Sequence, residues 1–311
     1  MPKKAYRVRN WSEYNKKLTQ RGRVTFWVNE ETAKKWHKTE KTKERGRPKV
    51  YADVAIETCL IVKVLFNLPL RQCEGLVTDL FGLLKIKIQV PCYTQVCRRQ
   101  RSLDVKLKHS VMGSIHVVID GTGLKVFGEG EWKVRQHGYT KHRMWRKLHI
   151  GIDVKTQEIV MMELSENNIG ENKLLNPLLN QYEDGFTTIG ADKGYDSFAC
   201  HEEAGNRGAT SAILLQRKSK IRKRLKAGEP TLVRDDILRR IREVGRKEWK
   251  AEVKYHQRSL VETAFGRYKT IFGSKLRSIC LESQKVEALI KCNLLNKFTQ
   301  LGMPVSVLCD R

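Results

Sequence analysis

The sequence predicts an α/β fold with a mixed sheet, preceded by a helical region. Three observations predict it. Apolar residues recur at helical spacing from residue 51 to about 103, and short β-branched runs replace them from residue 115. Beyond that point the order reads as a run of strands, a helix, a strand, a helix and a strand, closed by a helix that carries Glu262. Two of the runs end in an aspartate set before glycine, Asp120 and Asp192. In a largely parallel, buried sheet such positions lie at strand ends, where sites of α/β folds are built.

Residues 1–50 are polar and strongly basic, with Trp11, Tyr14, Phe26, Trp27 and Trp36 as scattered anchors. Within them Arg45-Gly46-Arg47-Pro48-Lys49 is a short basic hook. Its chemistry suits an A·T-rich minor groove, and it reads equally as a linker. Residues 51–68 form a helix on the spacing of Ala55, Cys59, Val62 and Phe66. Residues 70–84 form a second, with Leu76, Val77, Leu80, Phe81 and Leu84 on one face. Pro91 opens a third, from Cys92 to about Leu103, carrying Gln95, Arg98, Arg99 and Arg101. The trio reads as a helix-turn-helix-like bundle over residues 51–110. Gln95, Arg98 and Arg99 are its candidate contacts to bases and phosphates. The alternative is a helical cap with a solvated basic face.

Strands are expected at 115–120, 122–127, about 143–153 and 158–164. A helix follows over Asn172–Tyr182, with Leu174, Leu175, Leu178 and Leu179 inward, and then a strand at 187–192. Next come a helix over about Ser197–Asn206 and a strand over Ser211–Leu215. Residues 216–254 read as an insertion opening with the basic run Arg217–Lys226, a track for phosphates or a solvated loop. A closing helix spans 283–301, and 302–311 is a tail.

Tyr255, Arg258, Glu262 and Lys269 stand at spacings of three, four and seven. On one helix they fall within roughly 60° of each other. The opposite side carries Leu260, Val261, Ala264, Phe265 and Ile271. One face packs while the other presents a carboxylate flanked by two cations and a phenol, a set suited to holding a phosphate. The plainer reading is an amphipathic helix with an Arg258–Glu262 ion pair. Asp120, Asp192 and Glu262 together give the oxygen donors that Mg²⁺ prefers. Two such ions about 4 Å apart clamp the attacking and leaving oxygens of phosphoryl transfer. Asp153, Asp196 and Glu163 also lie near strand ends. Asp153 is the strongest rival, but Val154-Lys155-Thr156-Gln157 reads as a hairpin turn, which makes it structural. Trp132, in a Gly-rich basic loop, either stacks on a base or packs.

Composition agrees with a polyanionic partner. The 311 residues hold 60 basic against 34 acidic side chains, a net charge of +26. A hydrophobic content of 40% allows a large core, which argues against a small ribosomal-type RNA binder. There is no run of 18 apolar residues, so no spanning helix is expected, and the start lacks the apolar segment of a secretory signal. The eight cysteines form no C-x2-C pair and suit free thiols in a reducing cytoplasm. The spacing of Cys92, Cys97, His109 and His116 matches no common zinc module.

The spacing Tyr-x2-Arg-x3-Glu-x6-Lys resembles the signature of DDE transposases of bacterial insertion sequences. The segments Asp120–Gly138 and Trp145–His149 are similar to the 903 group of the insertion-sequence-5 family. The resemblance runs from Asn10-Trp11 to Met303-Pro304 and is weakest between about residues 205 and 250. It implies a ribonuclease H-like catalytic domain over 111–301, with Asp120, Asp192 and Glu262 as catalytic, metal-binding residues. It also implies two Mg²⁺ or Mn²⁺ ions, and Tyr255, Arg258 and Lys269 on DNA. The implied activity is binding of terminal inverted repeats, cleavage with water, and attack of the freed 3′-hydroxyl on target DNA. A homodimer in the DNA complex and a cytoplasmic, nucleoid-associated location go with it. A non-catalytic DNA-binding regulator and an unrelated metal-dependent nuclease are the other classes; metal-dependent nicking and strand joining separate them.

Overall fold

The computed structural model describes residues 6–28, 30–38, 49–126, 145–222 and 231–309. The Gly-Arg-Pro hook at 45–48, Trp132 and residues 223–226 of the basic run lie outside them. The chain divides into two compact units, Met1–Lys106 with Cys280–Arg311, and Leu107–Ile279.

The first unit begins with β1 (Tyr6–Val8), α1 (Trp11–Arg21), α2 (Val24–Trp27) and α3 (Glu30–Lys34). The three expected helices follow as α4 (Asp53–Leu65), α5 (Leu70–Leu83) and α6 (Tyr93–Gln100). Each is shorter than its apolar period suggests. Asn67 and Lys85 adopt positive φ just beyond α4 and α5, which ends both helices. α6 starts in a capping box, in which the Cys92 N–H donates to the Gln95 side chain at 3.2 Å.

The chain returns to this unit as α12 (Leu281–Leu301) and β8 (Ser306–Leu308), and β8 pairs antiparallel with β1. The sequence expects the closing helix, 283–301, to belong with the strands and 302–311 to be a separate tail; the division into compact units groups both with the N-terminal helices. Val286, Ala288, Ile290, Leu294, Leu295 and Phe298 are all buried. Arg21 lies 4.9 Å over the Phe298 ring, and Gln100 donates to Ser283 O at 2.8 Å. Periodicity reveals that such a helix has apolar faces, not which elements cover them.

The second unit is built on a mixed sheet of β2 (Ile115–Val126), β3 (Trp145–Asp153), β4 (Ile159–Glu166), β5 (Phe186–Ala191) and β6 (Thr210–Ile213). Its strand order is β4-β3-β2-β5-β6, and β7 (Lys275–Leu276) pairs with the far end of β2. β2, β3 and β4 are antiparallel neighbours; β5 and β6 run parallel to β2. α7 (Leu175–Leu179) and α8 (Phe198–Asn206) bury Leu178, Cys200 and Ala204 with Val117, Ile119 and Ile189. α8 is capped by Ser197, whose hydroxyl accepts from the Cys200 N–H at 3.2 Å.

Two strands expected at 115–120 and 122–127 are one continuous strand, so Asp120 lies mid-strand and not at an end. Gly121 and Gly123 read as a break, yet both stay in register with β3, opposite His149 and Lys147. The glycines admit rings instead of bending the chain. A Cβ on Gly121 would stand 2.9 Å from the His149 imidazole, and one on Gly123 would stand 3.2 Å from Trp145. The helix expected over 172–182 also shrinks, to a 3₁₀ turn Glu171–Lys173 followed by α7.

The insertion folds into α9 (Val233–Val244) and α10 (Arg246–Glu252), with Leu215, Leu238, Ile241 and Trp249 as its own core. A buried polar network ties it to the loop after β5. Asp196 accepts from Arg234 Nε at 2.7 Å and Nη2 at 3.1 Å, and from the Gln216 N–H at 2.8 Å. His201 Nε2 lies 3.2 Å from the same carboxylate and its Nδ1 lies 2.9 Å from Ser211 Oγ. Asp153 is structural, as its turn suggests: it is buried and accepts from the Thr156 N–H at 2.7 Å.

Burial pushes the Asp196 carboxyl up, but the hydrogen bonds from His201, Arg234 and Gln216 outweigh it and hold it well below the usual carboxylate range. A depressed folded-state pKa gives stability that is complete above about pH 4 and is lost only as pH falls through the folded value. Asp196→Asn is therefore expected to lower stability at neutral pH by about 3–5 kcal/mol, because Arg234 is left charged and buried. Urea unfolding should show a lower midpoint, and the deficit should shrink only in strong acid.

Candidate active site

The site is built where β2 and β5 run side by side. Their register pairs Ile119 with Ala191, which brings Asp120 and Asp192, the next residue on each chain, together. Each carboxylate is fixed by a local backbone donor. Asp120 Oδ1 accepts from the Gly121 N–H at 2.7 Å, and Asp192 Oδ1 accepts from the Gly194 N–H at 2.7 Å.

α11 (Ser259–Phe272) brings the third carboxylate, Glu262. The four signature residues do not share one helix as the spacing predicts. Tyr255–Arg258 form a 3₁₀ turn entered through Lys254 at φ 53°, and the α-helix starts at Ser259. The turn aims Arg258 at two carboxylates at once. Its Nη1 donates to Asp120 Oδ2 at 2.8 Å and its Nη2 to Glu262 Oε1 at 2.6 Å. The helical ion pair of the plainer reading is thus present, and its cation also reaches a strand 138 residues away in the chain. Tyr255 lies under that guanidinium, its ring 5.9 Å from Arg258 Cζ and 5.1 Å from Lys250 Nζ. Lys269 donates to Thr122 Oγ1 at 2.6 Å, so it meets β2 two residues beyond Asp120.

Burial pushes the Asp120 carboxyl above its ordinary range; the Gly121 N–H and Arg258 oppose the shift, and Asp192 and Glu171 add to it. Asp120 therefore feels two further carboxylates, and one of them is Glu171, which the sequence does not single out. Glu171 packs against Gly194 so closely that a Cβ there would collide with its carboxylate. Tyr195 was missed too. It is fully buried, its hydroxyl lies 3.0 Å from His149 Nδ1, and its pKa is raised by burial and then by Glu171, Asp120 and Asp192. Burial, then Lys147, pushes His149 down to about 4, so the imidazole is neutral in neutral solution. No local signal marks Glu171, which follows a glycine in a loop; Tyr195 is signalled only by lying three residues after Asp192.

Asp120, Asp192 and Glu171 supply oxygen atoms of the kind a hard divalent cation prefers, but as they stand they are not drawn together into a site for one. Glu262 is held to Arg258, whose guanidinium stands as the cation between it and Asp120. Among the described residues no group of three or more His, Cys, Asp or Glu side chains is gathered closely enough to hold a metal ion. That covers the described cysteines too, all eight of which are free thiols.

The candidate DNA-reading residues lie in the other unit. Gln95 is exposed but occupied in the α6 cap. Arg99 is tied down, donating to Tyr51 O at 2.8 Å and pairing with Asp53. Arg98 is exposed. A base-reading face made of all three is therefore not free as expected, because cap and ion pair take up two of its members.

One family model, described as a transposase DDE domain, matches residues 112–297, and a second of the same description matches residues 19–129. An uncharacterized protein of Aquifex aeolicus (strain VF5) is 28% identical over 158 residues, 44% of this chain and 46% of that protein. The chain thus spans about half the length of that curated relative. Among solved structures the fold is similar to the piggyBac transposase in its synaptic complex with hairpin DNA, at a TM-score of 0.40 and 9% identity, over 88% of this chain and 70% of that one. More than half of the chain falls within the first match, which encloses Asp120, Asp192 and Glu262, and the chain belongs to the transposase DDE domain family.

Proposed function

We propose that this protein is a DNA transposase of the insertion-sequence-5 type, 903 group, with a ribonuclease H-like catalytic unit. It binds the terminal inverted repeats of its element, cuts them with water and joins the freed 3′-hydroxyl to target DNA. The observation that carries the reading is Arg258 bridging Asp120 on β2 and Glu262 on α11, with Asp192 beside them. Two carboxylates far apart in sequence are drawn to one cation and a third stands at the neighbouring strand position, the kind of cluster a phosphoryl-transfer centre uses. The strand order β4-β3-β2-β5-β6, with β5 and β6 parallel to β2, supports the ribonuclease H-like assignment. The net charge of +26 supports a DNA partner, and no described helix is long and apolar enough to cross a membrane.

In this reading Asp120 and Asp192 would hold one Mg²⁺ or Mn²⁺, and Glu262 would complete a second site. Ions bound there would supply Lewis acidity toward the phosphate and the attacking water. The protein's own part is positioning. The Gly121 and Gly194 amides fix the two aspartates, so their oxygens need no reorientation. Arg258 is released from Glu262 to a phosphate oxygen beside the scissile bond, and Lys269 steadies the strand from the Thr122 side. Tyr195, held by His149, walls the carboxylates from below and excludes water. Joining two ends requires two copies of the chain in the DNA complex, and Arg98, which makes no ion pair among the described residues, is the cation of α6 offered for end recognition.

The direct test is incubation of the full-length protein with a library of DNA ends in Mg²⁺, with products sequenced. Asp120→Ala, Asp192→Ala and Glu262→Ala are each expected to reduce cleavage by about a thousandfold or more, several kcal/mol of transition-state stabilisation. End binding in a gel-shift assay should persist. Near-normal cleavage by any one of them removes that residue from the centre.

Arg258→Ala and Lys269→Ala should each lower the slope of log affinity against log salt by about 0.9 on duplex ends, one phosphate contact apiece. Both should lose cleavage or strand transfer while melting cooperatively. If both instead lose their melting transition, that helix face is structural.

A further inference from the structure

Beside Asp192 the second unit opens into a cleft of about 890 Å³. Its floor is Leu214 and Leu215, and its walls carry Lys193, Arg217, Lys218, Arg246 and Lys250. Glu171 and Asp192 stand at one end. We propose that this cleft is the track for a single unpaired DNA strand leading to the carboxylates.

Charge is the first argument. Lys193, Arg217 and Lys218 are exposed and make no ion pair among the described residues. Among the described residues no partner explains their clustering. Arg246 is built in differently: it donates to Leu215 O at 2.7 Å and Gln216 O at 3.4 Å, and so shapes the floor. One small anion needs one or two cations; a row of them suits a chain of phosphates.

Continuity is the second. Lys250 leaves the cleft wall to lie 5.1 Å over Tyr255, whose other cation is Arg258, and Arg258 touches Asp120. Cations therefore line an unbroken path from the cleft to the carboxylates. Size and chemistry are the third. Concave sites of about 300–1,000 Å³ take a small ligand, so this volume holds a short stretch of one strand. A duplex, whose major groove alone is about 12 Å wide, would rest across the mouth. The leucine floor offers apolar contact to sugars or bases, which unpaired strands expose.

The inference rests on reading Asp120 and Asp192 as the DNA-cleaving centre. The test uses the full-length protein and fluorescence anisotropy with a short labelled single-stranded oligonucleotide and a matching duplex across a salt series. Arg217→Ala with Lys218→Ala should lower the single-strand slope by about 1.4, two contacts at about 0.7 each, and leave the duplex slope nearly unchanged. Lys218→Glu should weaken single-strand binding further, and Lys155→Ala, in the β3–β4 turn, should change nothing. Circular dichroism checks that each variant is folded, as the exposure of Arg217 and Lys218 leads us to expect. An unchanged single-strand slope, or an equal fall on duplex, overturns the track. Asp192→Asn separates the two readings. If it cleaves like wild type while the cleft variants lose single strands, the centre is misassigned and the track stands. If it is inactive while the cleft variants bind single strands normally, the track alone fails.

Discussion

The carboxylate pair on β2 and β5 is the constraint around which the catalytic unit is arranged. Parallel register sets Asp120 and Asp192 side by side, and burial makes the Asp120 charge costly. Two unit charges about 4 Å apart interact by about 1 kcal/mol in water and about 4 kcal/mol near a protein surface. Such a pair persists only with cationic or donor compensation. The Gly121 and Gly194 amides give part of it, and the Arg258 guanidinium gives the rest. The approach of α11 to the sheet is therefore an electrostatic requirement as well as a packing one, for its apolar side buries Val261, Ala264 and Phe265.

Around that pair the polar groups form layers of fixed partners. His149 and Tyr195 hold each other beneath the carboxylates, and the glycine opposite His149 leaves room for its ring. One turn further, Asp196 anchors the insertion through Arg234. Removing one member of such a buried network leaves the others unsatisfied, so the network resists partial loss. The loop between Asp192 and Asp196 thus joins the sheet, the insertion and the cleft floor into one frame.

Positive charge is spread through the whole chain, but its use differs by place. Arg21, Arg99, Arg234 and Arg246 are consumed in holding backbone carbonyls or carboxylates. Lys193, Arg217 and Lys218 have no such partner among the described residues. The contrast explains why net charge points to a class of partner but cannot locate where that partner lies.

Much of the architecture was legible in the chain. Strand periods from residue 115, the aspartates of Asp120 and Asp192, the spacing from Tyr255 to Lys269 and the helical runs after residue 51 are local patterns, fixed by which faces must be buried. Other features were decided only by contacts between distant residues. Gly121-Thr122-Gly123 reads as a break, yet the His149 and Trp145 rings keep it extended. The signature segment reads as one helix, yet it divides at Arg258, whose side chain reaches across to Asp120. α12 carries an apolar pattern that suits either unit, and packing assigned it to the N-terminal one. Glu171 has no pattern at all; it stands beside Asp192 because the 3₁₀ turn after β4 packs against the Lys193–Tyr195 turn after β5. Spacing along a chain fixes which side of an element a residue occupies. The partner it meets there is set by register and loop closure, which only the folded chain determines.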